Sequence, residues 1–136
     1  MVFNPSESID LNGNTGPFIQ YTYARIRSVE RKAEGILTGD FDESNFKEDE
    51  AERILIKLLS RFSETINDSA KTFNPSLVAN YAYDLAKEYN QFYHDHSVIK
   101  EENTEVANFR LYLSLKVAET LKQAMFLLGI GMPERM

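Results

Sequence analysis

An all-α bundle of about five helices is what this sequence predicts, on three observations. Apolar residues recur at helical spacing through most of the chain, no alternating run is long enough to argue for a strand, and the breaks between periodic segments carry caps, prolines and glycines. With 136 residues the chain makes one domain that can bury a respectable core.

The elements follow in order. Residues 1–16, MVFNPSESIDLNGNTG, are rich in Asn, Ser, Gly and Pro and read as an irregular lead-in with a short extended piece. Pro17 suits a first helical turn, where its missing N–H costs nothing, and the helix it opens is expected to reach Leu37, with Gly39 past its end. A second helix covers roughly 48–60, with Ala51, Ile54, Leu55, Leu58, Leu59 and Phe62 at helical spacing. Ser63 reads as the restart of a short third helix to about Thr72. Asn74 and Pro75 supply a cap and a first-turn proline for a fourth helix to about Tyr93, whose inner face holds Val78, Tyr81, Ala82, Leu85, Tyr89 and Phe92. Thr104 is placed as the cap of a last helix that ends near Leu128, before Gly129 and Gly131. Its wide apolar arc (Leu111, Leu115, Ala118, Leu121, Ala124, Met125, Leu128) suits a central position.

Composition narrows the function classes. With no cysteine, disulfides and thiolate metal sites are excluded. No run approaches the roughly 18 apolar residues of a membrane span, and the start lacks the basic-then-apolar layout of a signal peptide, so no membrane partner and a cytoplasmic location are expected. The net charge of −6 looks adverse to a nucleic-acid partner, but its distribution is uneven. Residues 1–37 and 53–136 are each balanced, and the excess sits in 38–52, TGDFDESNFKEDEAE, with seven acids against one lysine. Those acids read as a solvated connector leading into a helix N-terminus, where they favour the dipole. The local faces must therefore decide.

The first long helix has an unusual face. On its wheel Ile19, Ile26, Ala33 and Leu37 fall within about 40° and form a core stripe. Phe18, Tyr21, Arg25, Ser28 and Lys32 gather on a separate face. Rings interleaved with cations are what a single-stranded nucleic acid needs, because bases stack on the rings and guanidinium groups neutralise phosphate or stack in turn. Tyrosines at helix edges also serve as half-buried packing residues with a wet hydroxyl, so the pattern alone is not specific.

Three longer stretches are. ESIDLNGNTGPFIQYTYARIRSV resembles the arginyl-tRNA synthetase segment that leads from the catalytic body into the anticodon-binding domain. YAYDLAKEYNQFYHD (81–95) resembles the central helix of that family's DALR-type anticodon-binding domain, and FRLYLSLKVAETLKQAMFLLGIGMPERM resembles its C-terminal part. The resemblance covers essentially the whole chain apart from the acidic stretch and residues 97–105. It implies two parts, the end of the catalytic body at 1–16 and a helical anticodon-binding domain at 17–136. No HIGH-like or KMSK-like motif occurs, so no catalytic residue is assigned here. The ATP and Mg2+ implied for the full enzyme have no place in these residues, and the chain alone is not expected to form arginyl-adenylate.

The resemblance also implies partners and site residues. The partners are the anticodon loop of tRNA(Arg) and the remainder of the synthetase, with a monomer expected. Every arginine anticodon has C in the middle, so the reader must extrude and grip that base. The family's pocket residues fall on Phe18, Tyr21, Tyr93 and Met136, and Arg25 matches a family arginine. Phe18 stands where tyrosine is frequent, which removes a hydroxyl, and Tyr23 where histidine is common. Arg25 is open to a phosphate or base contact or to a structural salt bridge. Arg110, inside the apolar arc of the last helix, must be paired or emerge at the bundle end; pairing with Asp84 or Asp95 and contact with RNA are the readings it offers. His94 and His96 lack the further spaced ligands of a metal site. GNTG before a helix lacks the Lys-Ser/Thr ending of a P-loop and reads as an orienting turn. A helical module that docks a protein through the same aromatic face is the alternative function.

Overall fold

Helix starts are set by short side chains that take up free backbone N–H groups. In the computed structural model, which describes every residue except Met1 and Phe46, Thr15 Oγ1 accepts from Phe18 N at 3.2 Å and opens α2 (Gly16–Ala33), with Pro17 in its first turn. Ahead of it lies only a one-turn helix, α1 (Pro5–Ser8), begun by Asn4. The extended piece expected in the lead-in is absent among the described residues, because the Asn-Pro pair starts a helical turn instead.

A capping box starts α3 (Glu50–Ser60). Asp49 Oδ1 accepts from Glu52 N, and Glu52 Oε2 accepts from Asp49 N, both at 2.9 Å. A single residue, Arg61, separates α3 from α4 (Phe62–Thr72), so Ser63 lies inside that helix and does not restart it. Asn74 Oδ1 takes Ser76 N–H at 3.2 Å as α5 (Ser76–Asp95) begins behind Pro75. The cap of α6 (Thr104–Leu127) is Asn103 and not Thr104: its Oδ1 accepts from Glu105 N and Val106 N at 3.1 and 3.3 Å, from a residue still in extended backbone.

One boundary differs by a full turn. α2 stops at Ala33 and not at Leu37, since Glu34 leaves the helical region (ψ 125°) and Gly35 takes φ 77°. Glycine adopts that left-handed conformation at no steric cost and so ends helices readily. Leu37 is thereby carried out of the helical stripe and packs from the loop.

The assembled bundle centres on α5 and α6. α5 packs against α2, α3, α4 and α6, and α6 also meets α2 and α3. The main core joins Ile19, Tyr23 and Ile26 of α2 and Leu55 of α3 to Leu85, Tyr89 and Phe92 of α5 and Val117, Leu121 and Met125 of α6. A smaller cluster of Val29, Ala33, Val98 and Leu111 closes the other end, with Leu37, Ile99 and Leu115 against it. Tyr89 is fully buried, and its hydroxyl donates to Ser114 Oγ at 3.0 Å. Burial pushes its pKa well up, only partly opposed by that bond. Tyr81 donates to Leu58 O at 2.7 Å, and burial pushes it up to about 12 against the opposing charge of Arg61.

Arg110 is a structural residue with other partners than Asp84 or Asp95. Its Nε donates to Glu52 Oε1 at 3.0 Å, and its Nη1 donates to Ser97 O at 2.8 Å and Glu101 Oε2 at 3.0 Å. Glu52 is the carboxylate of the capping box. The start of α3, the loop after α5 and the first turns of α6 are thus tied at one buried guanidinium. A forked donor suits this role, since one planar group serves several acceptors.

Candidate nucleic-acid interface

At one end of α2 and α5 a concavity of about 450 Å³ is lined by Tyr21, Ala24, Arg25, Ser28, Arg31, Lys32, Tyr93, Arg135 and Met136. Each element contributes for a local reason. On α2, Tyr21, Arg25, Ser28 and Lys32 are three or four residues apart and share a face. α5 supplies Tyr93 from its last turn, and the segment after α6 supplies Arg135 and Met136. Four cationic side chains and no Asp or Glu side chain line the space, in a chain whose formal charge is −6. The acids border other surfaces: Glu43 and Glu48 beside Phe41 and Tyr112, and Asp84 and Glu88 beside Arg61.

Arg25 occupies the centre. Its guanidinium carbon lies 5.0 Å from the ring centroid of Tyr21 and 4.8 Å from that of Tyr93, within cation–π range of both. Nη1 donates to Asn90 Oδ1 at 2.7 Å, and Nη2 reaches the Tyr21 hydroxyl at 3.4 Å. Asn90 is itself oriented, its Nδ2 donating to the buried Thr22 Oγ1 at 2.7 Å, while Thr22 donates to Phe18 O at 3.0 Å. A planar cation is therefore held between two half-exposed tyrosine rings, 38% and 36% accessible, by an amide fixed from behind. Among the described residues Arg25 makes no salt bridge; its partner is the neutral Asn90.

The segment after α6 is fastened to α2 by four contacts. Gln20 Nε2 donates to Gly131 O at 2.9 Å, Arg31 Nη1 to Glu134 O at 3.2 Å, and the Tyr23 hydroxyl to Glu134 Oε1 at 3.1 Å. Arg27 Nε donates to the same hydroxyl at 3.0 Å and lies 3.6 Å from Glu134 Oε2. Desolvation works against the charge of Arg27, but its bonds to Tyr23 and Glu30 outweigh it and raise the pKa. Gly129, at φ 77°, makes the turn that sends the chain back. Met136 thereby reaches Tyr21 and Tyr93 while remaining 60% exposed, so its thioether is available to a ligand.

Of the five residues singled out in the sequence, Tyr21, Arg25, Tyr93 and Met136 come together. Phe18 does not line this space: its half-buried ring packs on Tyr83, centroids 5.4 Å apart, against the main core. Asn90, Arg31 and Arg135 were not assigned a role from the sequence. Asn90 lies three residues before Tyr93 on the same helix, a spacing that places it beside that ring and is the signal that could have found it. His96 stacks on Phe92 at 5.3 Å, with Nδ1 3.5 Å from Asp49 Oδ2. Among the described residues no three His, Asp or Glu side chains are grouped to hold a metal ion, and no helix is long and apolar enough to cross a membrane.

Comparison with known proteins places this geometry in context. The DALR anticodon binding domain family matches residues 19–136. The arginine–tRNA ligases of Parabacteroides distasonis and Phocaeicola vulgatus are 56% and 54% identical over 138 aligned positions, which take in 100% of this chain and 23% of each relative. Among solved structures, arginyl-tRNA synthetase of Thermus thermophilus superposes with a TM-score of 0.87 at 32% identity, covering 98% of this chain and 23% of that one. The Plasmodium falciparum enzyme gives 0.84 at 28% identity, with the same coverage. The chain thus spans about a quarter of the length of the relatives it matches.

Proposed function

The chain belongs to the DALR anticodon-binding domain family of arginine–tRNA ligases, and from that premise we propose that the Tyr21–Arg25–Tyr93–Met136 concavity grips the middle cytosine of the arginine anticodon. The observation that carries this reading is the convergence of two tyrosine rings, a planar cation and a thioether in a space lined by no Asp or Glu side chain. An anticodon base turned out of its loop stacks on an exposed ring, and the surrounding Arg25, Arg31, Lys32 and Arg135 meet the backbone phosphates.

Arg25 also accounts for the choice of base. Guanidinium donates and never accepts. Cytosine offers N3 and O2 as adjacent acceptors on its pairing edge, whereas uracil presents N3–H in the same place. A donor facing a donor leaves both unpaired, which costs about 1–3 kcal/mol when water is excluded. Asn90 fixes the guanidinium plane, and Met136 adapts to the base edge because an unbranched thioether fills irregular gaps. Phe18 contributes by packing, holding the start of α2 against Tyr83 of α5.

The wider proposal follows the relatives. In this reading the chain serves an enzyme that attaches arginine to tRNA(Arg) with ATP and Mg2+, as a cytoplasmic monomer, the chemistry belonging to its catalytic body. No HIGH-like or KMSK-like motif occurs in these residues, so the chain alone should not support arginine-dependent ATP–pyrophosphate exchange. Residues 1–16 are assigned to the catalytic body and 17–136 to the helical domain. In support, α1 buries nothing, and Val2, Phe3, Ile9 and Leu11 leave their apolar side chains exposed.

The experiment is a binding comparison between anticodon stem–loop RNAs with middle C and middle U. The chain should prefer the cytosine hairpin, and Tyr93→Ala should weaken that complex by about 1–3 kcal/mol, the scale of one lost base–aromatic stack. Equal affinity for both hairpins, with Tyr93→Ala silent, would return Tyr93 to a packing role.

A further inference from the structure

The acids between α2 and α3 divide into two sets. Asp49 and Glu52 serve the capping box of α3 and Arg110. Glu43 and Glu48 instead line a concavity of about 630 Å³ between α3 and α6, which shares no residue with the one that takes Tyr21 and Tyr93. The backbone that carries Glu43 is fastened to α6. Asn108 Oδ1 accepts from Thr38 N and Gly39 N at 3.0 and 3.2 Å, and Glu105 Oε2 accepts from Asp42 N at 2.9 Å. The rest of the lining is mostly apolar. Phe41 meets Phe109 edge-on with centroids 4.9 Å apart and lies 5.4 Å from the ring of Tyr112, while α3 contributes Ile56 and Leu59. Tyr112 and Ile56 are 42% and 39% exposed. Lys116, which also lines the space, is answered by Glu119 at 3.4 Å. Among the described residues Glu43 forms no salt bridge.

We propose that this concavity docks a basic amphipathic segment of a protein partner, with apolar residues on Tyr112 and Ile56 and lysine or arginine heads at Glu43 and Glu48. Two features choose that occupant. An aromatic ring and an aliphatic side chain left half-exposed in a concavity gain from being covered. Carboxylates beside them repel nucleic acid and anionic lipid and complement a cationic chain, which they steer toward the site. Lysine and arginine satisfy both demands, since their methylene stems lie on apolar surface while the charged heads reach outward. A guanidinium over the ring of Tyr112 adds cation–π attraction. The proposal does not depend on the anticodon reading, and because the two concavities are separate, an RNA loop and this partner can be held together.

The probe is a labelled synthetic peptide with leucine on one helical face and lysine on the other. The chain should bind it with an affinity that falls as salt rises, and should bind neither the version with glutamate for lysine nor the version with serine for leucine. Tyr112→Ala should weaken the complex about tenfold, the scale of a lost aromatic anchor. Glu43→Gln with Glu48→Gln should weaken it and flatten its salt dependence. Asp84→Asn with Glu88→Gln, on another face, should leave it unchanged. Circular dichroism checks that each variant is folded, and the glutamine pair at Glu43 and Glu48 decides the matter if Tyr112→Ala is not. Equal losses from the two carboxylate pairs would reduce the binding to attraction by net charge and overturn the docking site. Displacement of the peptide by an anticodon stem–loop would overturn it as well. A full-length synthetase carrying this chain that fails to bind the peptide would show the catalytic body covering this face, and self-association of the chain abolished by Tyr112→Ala would make the occupant a second copy; either result refutes the proposal.

Discussion

Replacing Arg110 by alanine separates the two roles a cation in α6 can have. In the structure its removal strands Glu52, 2% exposed, whose remaining partner among the described residues is the Asp49 N–H of the capping box. It also frees Ser97 O and Glu101 from their shared donor. Breaking a buried ion pair from one side costs about 3–5 kcal/mol, because a buried charge is left uncompensated. Unfolding entropy of roughly 2.1 cal/mol/K per residue over 136 residues comes to roughly 0.29 kcal/mol/K. The melting temperature should therefore fall by roughly 10–17 °C. Thermal unfolding followed by circular dichroism, with a urea titration alongside, measures it. A paired replacement, Arg110→Met with Glu52→Leu, should recover most of the loss, since neither charge then remains buried. Well below its transition, Arg110→Ala should bind the anticodon stem–loop as the unaltered chain does. A variant that melts normally but has lost RNA affinity would refute the argument and turn this guanidinium toward the ligand.

Two further outcomes follow from the fold. Phe73 ends α4 at φ 52° with its ring 93% exposed, a left-handed conformation that costs a bulky residue and nothing for glycine; Phe73→Gly should stabilise the chain by about 0.5–1 kcal/mol in urea, and a loss of stability would show that the ring has a partner. At alkaline pH, Tyr81 keeps its proton to about 12 in the fold against 10.0 for the free phenol. Tyr89 shifts in the same direction, so between those values the unfolded chain binds fewer protons and stability must fall as pH rises. Phenolate absorbance should then rise in step with loss of helix, and independent titration of all the tyrosines in a still-folded chain would contradict it.

The helices themselves were written in local chemistry. Pro17, the Asn74–Pro75 pair, the capping box of Asp49 and Glu52, and the 3.6-residue period of α3, α5 and α6 act between residues a turn apart, so the string of letters contains both members of each interaction. The wheel likewise put Tyr21 and Arg25 on one face, and the resemblance to a known family selected Tyr93 and Met136. Errors came where one local signal competed with another: Gly35 outweighed the apolar stripe that pointed on to Leu37, and Asn103 took the cap before Thr104 could.

What only the tertiary structure decided is the identity of partners far apart in the chain. Arg110 needed a carboxylate by virtue of its burial alone, yet whether Glu52, 58 residues away, or Asp84 supplied it depends on which faces α3 and α5 turn toward α6. A wheel gives a direction from one helix axis and is silent about what stands there. For that reason Phe18, on the same sequence face as Tyr21, ended against Tyr83, while Asn90 and Arg135 arrived beside Arg25 from other elements. Met136 joined them because Tyr23, Gln20 and Arg31 hold the returning segment across separations of more than a hundred residues. Contacts of that range become favourable only after the core has brought the helices together and repaid the entropy of closing the chain.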